Sequence, residues 1–117
     1  MAVKRVVANV AADSIAAADA FYRGVLGMRV GMDLGWIVTF TADASTAPQV
    51  SVATEGGGGA AVPDMSIEVD DLDEVHERAT QAGFAVEYGP VTEPWGVRRF
   101  YVRDPFGRLL NVLAHVA

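Results

Sequence analysis

The chain has 117 residues, 51% of them hydrophobic, and a formal net charge of −6, enough material for one domain that buries roughly two thirds of the surface its unfolded form exposes. Its 15 acidic and 9 basic residues are scattered, with no Lys/Arg run, which argues against nucleic acid, whose binding draws on clustered cations. No window approaches the ~20 uninterrupted apolar residues of a membrane span, and the lack of cysteine excludes disulfides and thiolate metal sites, with the cytoplasm as the expected location.

The opening MAVKRVVANVAAD has two basic residues and a short apolar run, as a signal peptide does, but Asn9, Asp13 and Asp19 interrupt it. A strand followed by a helix is expected instead. In DSIAAADAFYRGVLG, Asp13 or Ser14 can cap that helix, Ile15, Ala18, Phe21 and Val25 supply its apolar set, and Gly27 supplies a left-handed stop. MRVGM, WIVTF and QVSVA then read as strands.

TEGGGGAAVP follows; without a Lys-Ser/Thr pair or a helix start after the glycines, a flexible hinge fits it better than a phosphate loop. The second half repeats the plan of the first. MSIEV is a strand, and DDLDEVHERATQAG is a helix in which Asp71 and Glu74 have capping-box spacing. Leu72, Val75, Ala79 and Ala82 form its stripe, and Gly83 ends it. FAVEY, RRFYV and LLNVL are further strands, and DPFG between the last two has the preferences of a type I turn, with Asp104 first, Pro105 second and Gly107 fourth. The unit is strand, helix, strand, strand, strand, used twice.

FYRGVLGMRV, the aspartate-rich cap before the second helix and FYVRDPFGRLLNVL, in this order, resemble the glyoxalase / bleomycin-resistance / extradiol-dioxygenase (vicinal oxygen chelate) superfamily over nearly the whole chain. The resemblance implies an α+β fold of two βαβββ modules, here 1–55 and 63–117 with a Gly-rich linker 56–62. Their strands would curve into a cup with helices on the convex side and a ligand site in the hollow. It also implies a homodimer.

Strand alternation then sorts the side chains. Val6, Ala8 and Val10 suit the helix side, leaving Arg5, Val7 and Asn9 inward; Met65, Ile67 and Val69 suit it too, leaving Asp64, Ser66 and Glu68 inward. Gln49 and Ser51, and Leu109, Asn111, Leu113 and His115, also point inward. So polar an interior face needs partners or a ligand.

Metal-using members of this superfamily present His, Gln or Glu on the first and fourth strands of each module. The matching positions here are Arg5, Ser51 (or Gln49), Asp64 and Asn111. A guanidinium has no lone pair to donate, Asn111 is a weak neutral donor, and one carboxylate without imidazole does not make a transition-metal site. The expected site is therefore metal-free, with Arg5 paired to Asp64 or Glu68, or recognising a ligand carboxylate or phosphate.

Glu68 is the candidate general base, if low polarity raises its pKa. Trp36, Trp95 and Tyr101 would suit a flat or aromatic ligand, although each tryptophan could equally be a core plug. One of Arg98 and Arg99 reaches the hollow. His76 is expected to be solvated, and His115 either closes the site or frays with the terminus. The leading expectation is a homodimer binding a small organic molecule without a cofactor. The alternatives are an enzyme, either divalent-metal-dependent with an atypical ligand set or metal-independent through Glu68, and an interaction module with a filled cup.

Overall fold

A computed structural model of the chain describes residues 2–43 and 49–116. The fold is α+β. Strands β1 (Val3–Ala11), β2 (Arg29–Asp33), β3 (Ile37–Thr41), β4 (Gln49–Ala53), β5 (Met65–Val69), β6 (Val86–Thr92), β7 (Val97–Arg103) and β8 (Leu109–His115) are joined in parallel and antiparallel pairs, with α1 (Ala16–Tyr22) after β1 and α2 (Leu72–Gln81) after β5. Among the described residues no helix is long and apolar enough to cross a membrane. The chain divides into two compact units, Val7–Val62, and Met1–Val6 together with Pro63–Ala117; they are called the N-terminal and C-terminal units below.

In the N-terminal unit the strand order is β2-β3-β4-β1, with β1 parallel to β4 and the other pairs antiparallel. Val38, Phe40 and Val52 form its buried cluster, and Ile15, Ala18, Tyr22 and Met28 pack on it. Two expectations are corrected here. The N-cap of α1 is Ile15, with no side-chain hydrogen bond, so neither Asp13 nor Ser14 caps the helix. Tyr22 takes the inward place, stacked on Phe40 at 5.3 Å, whereas Phe21 and Val25 are exposed. α1 has only seven residues, too short to cover more than this patch. Accordingly Val10 of β1 stays exposed and Val7 is the buried one, contrary to the expected parity of burial.

The Gly-rich segment between the two modules forms a closed turn. Gly56 N–H donates to Ala60 O at 2.7 Å, Ala60 N–H to Gly57 O at 3.1 Å and Gly59 N–H to the Glu55 carboxylate at 2.8 Å. Gly57, Gly58 and Gly59 all have positive φ (91, 60 and 82°), a backbone that residues with a Cβ rarely adopt.

In the C-terminal unit the order is β1-β5-β8-β7-β6, with β5 parallel to β8 and β7 antiparallel to both β8 and β6. α2 forms as its sequence dictates: the Asp71 side chain accepts from Glu74 N–H at 3.1 Å, and Leu72, Val75 and Ala79 lie on the core of Val69, Phe100, Val102 and Val112. His76 is half-buried with its ring edge-on to Phe100 at 5.2 Å, so it is a core neighbour and not the solvated residue expected. The DPFG turn is closed by Gly107 N–H to Asp104 O at 3.1 Å, and the Asp104 carboxylate accepts from Phe106 and Arg108 N–H at 2.8 and 2.9 Å.

Phe100 is fully buried (0% exposed) while Phe106, at the turn, is 86% exposed. Phe100→Ala should therefore cost about 3–5 kcal/mol in urea denaturation and Phe106→Ala no more than about 0.5 kcal/mol. Equal losses would contradict this packing.

Candidate functional site

The β5, β7 and β8 strands of the C-terminal unit each have one face on the α2 core, through Ile67 and Val69, Phe100 and Val102, and Leu110, Val112 and Ala114. Their alternate residues fall on the opposite face. Register sets these into rows: Ser66 opposite Asn111, Asn111 opposite Tyr101 and Tyr101 opposite Tyr88; then Glu68 opposite Leu113 and Leu113 opposite Arg99.

At one end of this face stands Glu68, its side chain only 12% exposed. Arg5 Nε lies 3.1 Å from Oε1, while His115 Nδ1 at 2.9 Å and Lys4 Nζ at 3.6 Å meet Oε2. Burial pushes the carboxyl pKa up, but the His115 hydrogen bond and the charges of Arg5, His115 and Lys4 outweigh it and hold Glu68 below its ordinary 4.5. The raised pKa expected of a general base is thus corrected: Glu68 is an ionised partner of basic groups. Of the two carboxylates expected beside Arg5, Glu68 is the one that pairs with it. Asp64 is engaged elsewhere, its Oδ2 accepting from Leu109 N–H at 2.8 Å.

At the middle of the face, Asn111 Nδ2 donates to Ser66 Oγ at 3.1 Å. Asn111 is 8% exposed, and its Oδ1 is buried without a donor among the described residues. At the far end is a cluster not expected as a unit. Arg99, 3% exposed, pairs with Glu93 through Nη2 at 2.6 Å and Nε at 2.8 Å, and donates to Tyr101 Oη at 3.2 Å. Its guanidinium lies 5.1–5.2 Å from the ring centroids of Tyr88, Trp95 and Tyr101, and Tyr88 Oη donates to Glu93 at 2.9 Å. Burial is the main cause of the raised Tyr101 pKa, against the lowering effect of Arg99; the phenol therefore stays a donor near neutral pH.

Of the adjacent arginines, Arg99 lies on this face and Arg98 turns to Asp73 at the start of α2, 3.2 Å away. Glu93, Tyr88 and Lys4 were not singled out from sequence. The available signal was EPWG itself: Glu93 and Arg99 flank a turn closed by Gly96 N–H to Glu93 O at 3.2 Å, which brings a carboxylate and a guanidinium six residues apart onto one hairpin.

In the N-terminal unit Asn9, Ser51 and Thr39 are neighbours in register, with Ser51 and Thr39 hydroxyls 2.7 Å apart and buried. Gln49 begins β4 opposite Thr41 and is half-buried. Trp36 is also half-buried, its carbonyl accepting from Thr54 N–H at 3.0 Å.

At the positions that the resemblance matches to metal ligands stand Arg5, Ser51 or Gln49, Asp64 and Asn111. Arg5 offers no lone pair, Asp64 Oδ2 accepts from a backbone N–H, Asn111 donates its nitrogen to Ser66 while its oxygen is without a donor among the described residues, and basic groups stand around Glu68.

The two ion clusters give separate expectations. Because the folded pKa of Glu68 lies below its ordinary 4.5, its contribution to stability is complete above that pH and lost as pH falls through the folded value. Glu68→Gln should destabilise the neutral protein by roughly 1 kcal/mol and flatten its acid sensitivity below the ordinary carboxyl range in thermal unfolding across pH; parallel curves for wild type and variant would refute the assignment. Arg99→Met leaves a buried carboxylate without its cation, a loss of roughly 3–5 kcal/mol that Arg99→Met with Glu93→Leu should largely restore.

Residues 4–112 match the Glyoxalase/Bleomycin resistance protein/Dioxygenase superfamily. No curated protein matches the sequence. Among solved structures the chain is similar to a structure described as the NAD-dependent benzaldehyde dehydrogenase of Legionella pneumophila (TM-score 0.77, 16% identity, covering 95% of this chain and 99% of that one). It is also similar to a glyoxalase/bleomycin resistance protein/dioxygenase superfamily member from Vibrio splendidus 12B01 (0.69, 18%, 98% and 100%), and to Streptomyces coelicolor methylmalonyl-CoA epimerase in complex with 2-nitronate-propionyl-CoA (0.73, 18%, 99% and 100%). At these identities the likenesses establish the fold. With a family match over nearly its whole length, the chain belongs to the Glyoxalase/Bleomycin resistance protein/Dioxygenase superfamily.

Proposed function

We propose that this protein binds a small organic molecule without a metal ion, as a homodimer. Small-molecule binding is the common property of the superfamily. The observation that carries the metal-independent reading is the guanidinium of Arg5 seated 3.1 Å from Glu68, at a position where metal-using relatives place a ligand. A fixed cation there does the electrostatic work of an ion while leaving recognition to organic contacts. Ser66, Asn111, Tyr101 and Trp95 supply those contacts in the C-terminal unit: an amide oxygen short of a donor, a phenol kept protonated by burial and aromatic surface. Asp64, and in the N-terminal unit Asn9, Ser51 and Trp36, are further candidate contacts.

One observation favours a second reading, a metal-independent enzyme. Glu68 receives His115 Nδ1 at 2.9 Å, and an ionised carboxylate in that position holds an imidazole with Nε2 outward. In that case His115 is the base and Glu68 the group that orients it.

The test uses protein purified without chelator or metal-affinity resin. Elemental analysis should find Zn, Mn, Fe and Ni well below one per chain, and EDTA should leave the melting temperature unchanged. A panel of small aromatic and anionic compounds should contain one that raises it, by an amount equivalent to about 2.7 kcal/mol at a hundredfold excess over Kd. A stoichiometric ion whose removal lowers the melting temperature would overturn the proposal. Chemical change in a compound incubated with wild type but not with His115→Gln would move the assignment to the enzyme.

A further inference from the structure

Each unit carries a row of polar side chains across three strands, and the two rows differ in how the central residue is met. In the N-terminal unit the row runs from Asn9 on β1 through Ser51 on β4 to Thr39 on β3; in the C-terminal unit it runs from Ser66 on β5 through Asn111 on β8 to Tyr101 on β7. The central residue is buried in both, Ser51 being 3% and Asn111 8% exposed. In the first row the Thr39 hydroxyl turns to the centre and lies 2.7 Å from that of Ser51. In the second row Tyr101 Oη accepts from Arg99 Nη1 at 3.2 Å, and Asn111 Oδ1 is buried without a donor among the described residues.

An acceptor taken out of water and left unbonded is costly to keep, and its surroundings define what could serve it. Asn111 Nδ2 already donates to Ser66 Oγ at 3.1 Å, so the oxygen is the side of the amide left to a partner. Two residues away along β8, on the same face, lie Leu109 and Leu113, 6 and 7% exposed. Against such carbon surface a partner needs an apolar body and one N–H or O–H. An ionised carboxylate or an ether would set acceptor against acceptor and form no hydrogen bond with Oδ1. The terminal torsion of an asparagine has a broad minimum, so the buried amide can turn toward an incoming donor without leaving its rotamer, at the expense of the Ser66 bond.

We infer that Asn111 is the specificity-determining residue of this face: its amide turns to accept, through Oδ1, a hydrogen bond from a neutral, largely apolar ligand that bears an N–H or O–H group. This deepens the small-molecule reading by naming the chemical class of the ligand, and rests on it. A methyl group in place of the ligand's donated hydrogen removes that bond and leaves Oδ1 unmet. Sites built to hydrogen-bond one group reject analogues lacking it for this reason.

The experiment uses pairs of compounds in which methylation removes the donor: phenol and anisole, indole and N-methylindole, benzamide and N,N-dimethylbenzamide. Each is titrated into isotope-labelled protein while the Asn111 side-chain amide signals are followed by nuclear magnetic resonance. At least one parent compound should give saturable shifts there and bind about tenfold or more tightly than its methylated partner. In Asn111→Leu the same pair, followed through backbone amide signals, should bind with nearly equal affinity, which separates the lost hydrogen bond from the bulk of the added methyl. Equal affinities within every pair in the wild-type protein would overturn the inference without recourse to the variant. So would a preference undiminished in Asn111→Leu, or no saturable shift at Asn111 with any parent compound. An organic compound that still raised the melting temperature in that event would leave the small-molecule reading standing.

Discussion

A carboxylate removed from water must be compensated, and Glu68 is compensated three times. The free-energy penalty of burying a charge without partners runs to several kcal/mol, so a nearly buried Glu68 on β5 requires the bases that reach it from β1 and β8. Lys4 and Arg5 come from the first strand and His115 from the last; one side chain thus fixes the chemistry where three strands meet. On the same face the Arg99–Glu93 pair does the equivalent for the β6–β7 hairpin. Buried Leu113 stands in register between Glu68 and Arg99, and the two ion clusters remain separate partnerships.

That arrangement is what supports the proposal of a site for an organic molecule. Positions that converge on an ion in metal-using relatives here carry a guanidinium, a carboxylate tied to a backbone N–H and an amide tied to a hydroxyl. The guanidinium has no lone pair to donate, one Asp64 oxygen accepts from a backbone N–H, and the Asn111 amide bonds its neighbour through the nitrogen. The Asn111 amide oxygen is buried without a donor among the described residues, a group that a hydrogen-bond donor on an organic ligand can meet.

What the sequence disclosed follows the range of the forces involved. The second helix was legible to its cap because Asp71, Glu74 and the Leu72–Val75–Ala79 stripe act within a few residues of one another. The alternation of β5 and β8 was legible because both strands pack one whole face on that helix. β1 was not, since α1 is short and leaves Val10 uncovered; parity gave direction without saying what would be there to bury against. Asp13 and Ser14 look like caps but sit one or two residues before Ile15, where the helix begins. His76 looked solvated from its charged neighbours, yet a helix position against Phe100 decides its environment. Arg5 with Glu68 was foreseen as one of two pairings, whereas the convergence of His115 and Lys4 on the same oxygen depends on strand order, which no local pattern carries.

The account stands on the claim that the bases around Glu68 have displaced ion ligation in this chain. Its most direct test is anomalous diffraction from crystals grown with manganese. The account predicts no ordered anomalous peak within bonding distance of Glu68, Asp64 or Asn111, with Arg5 still against Glu68. A manganese ion coordinated by any of these side chains, with the guanidinium swung aside, would contradict it.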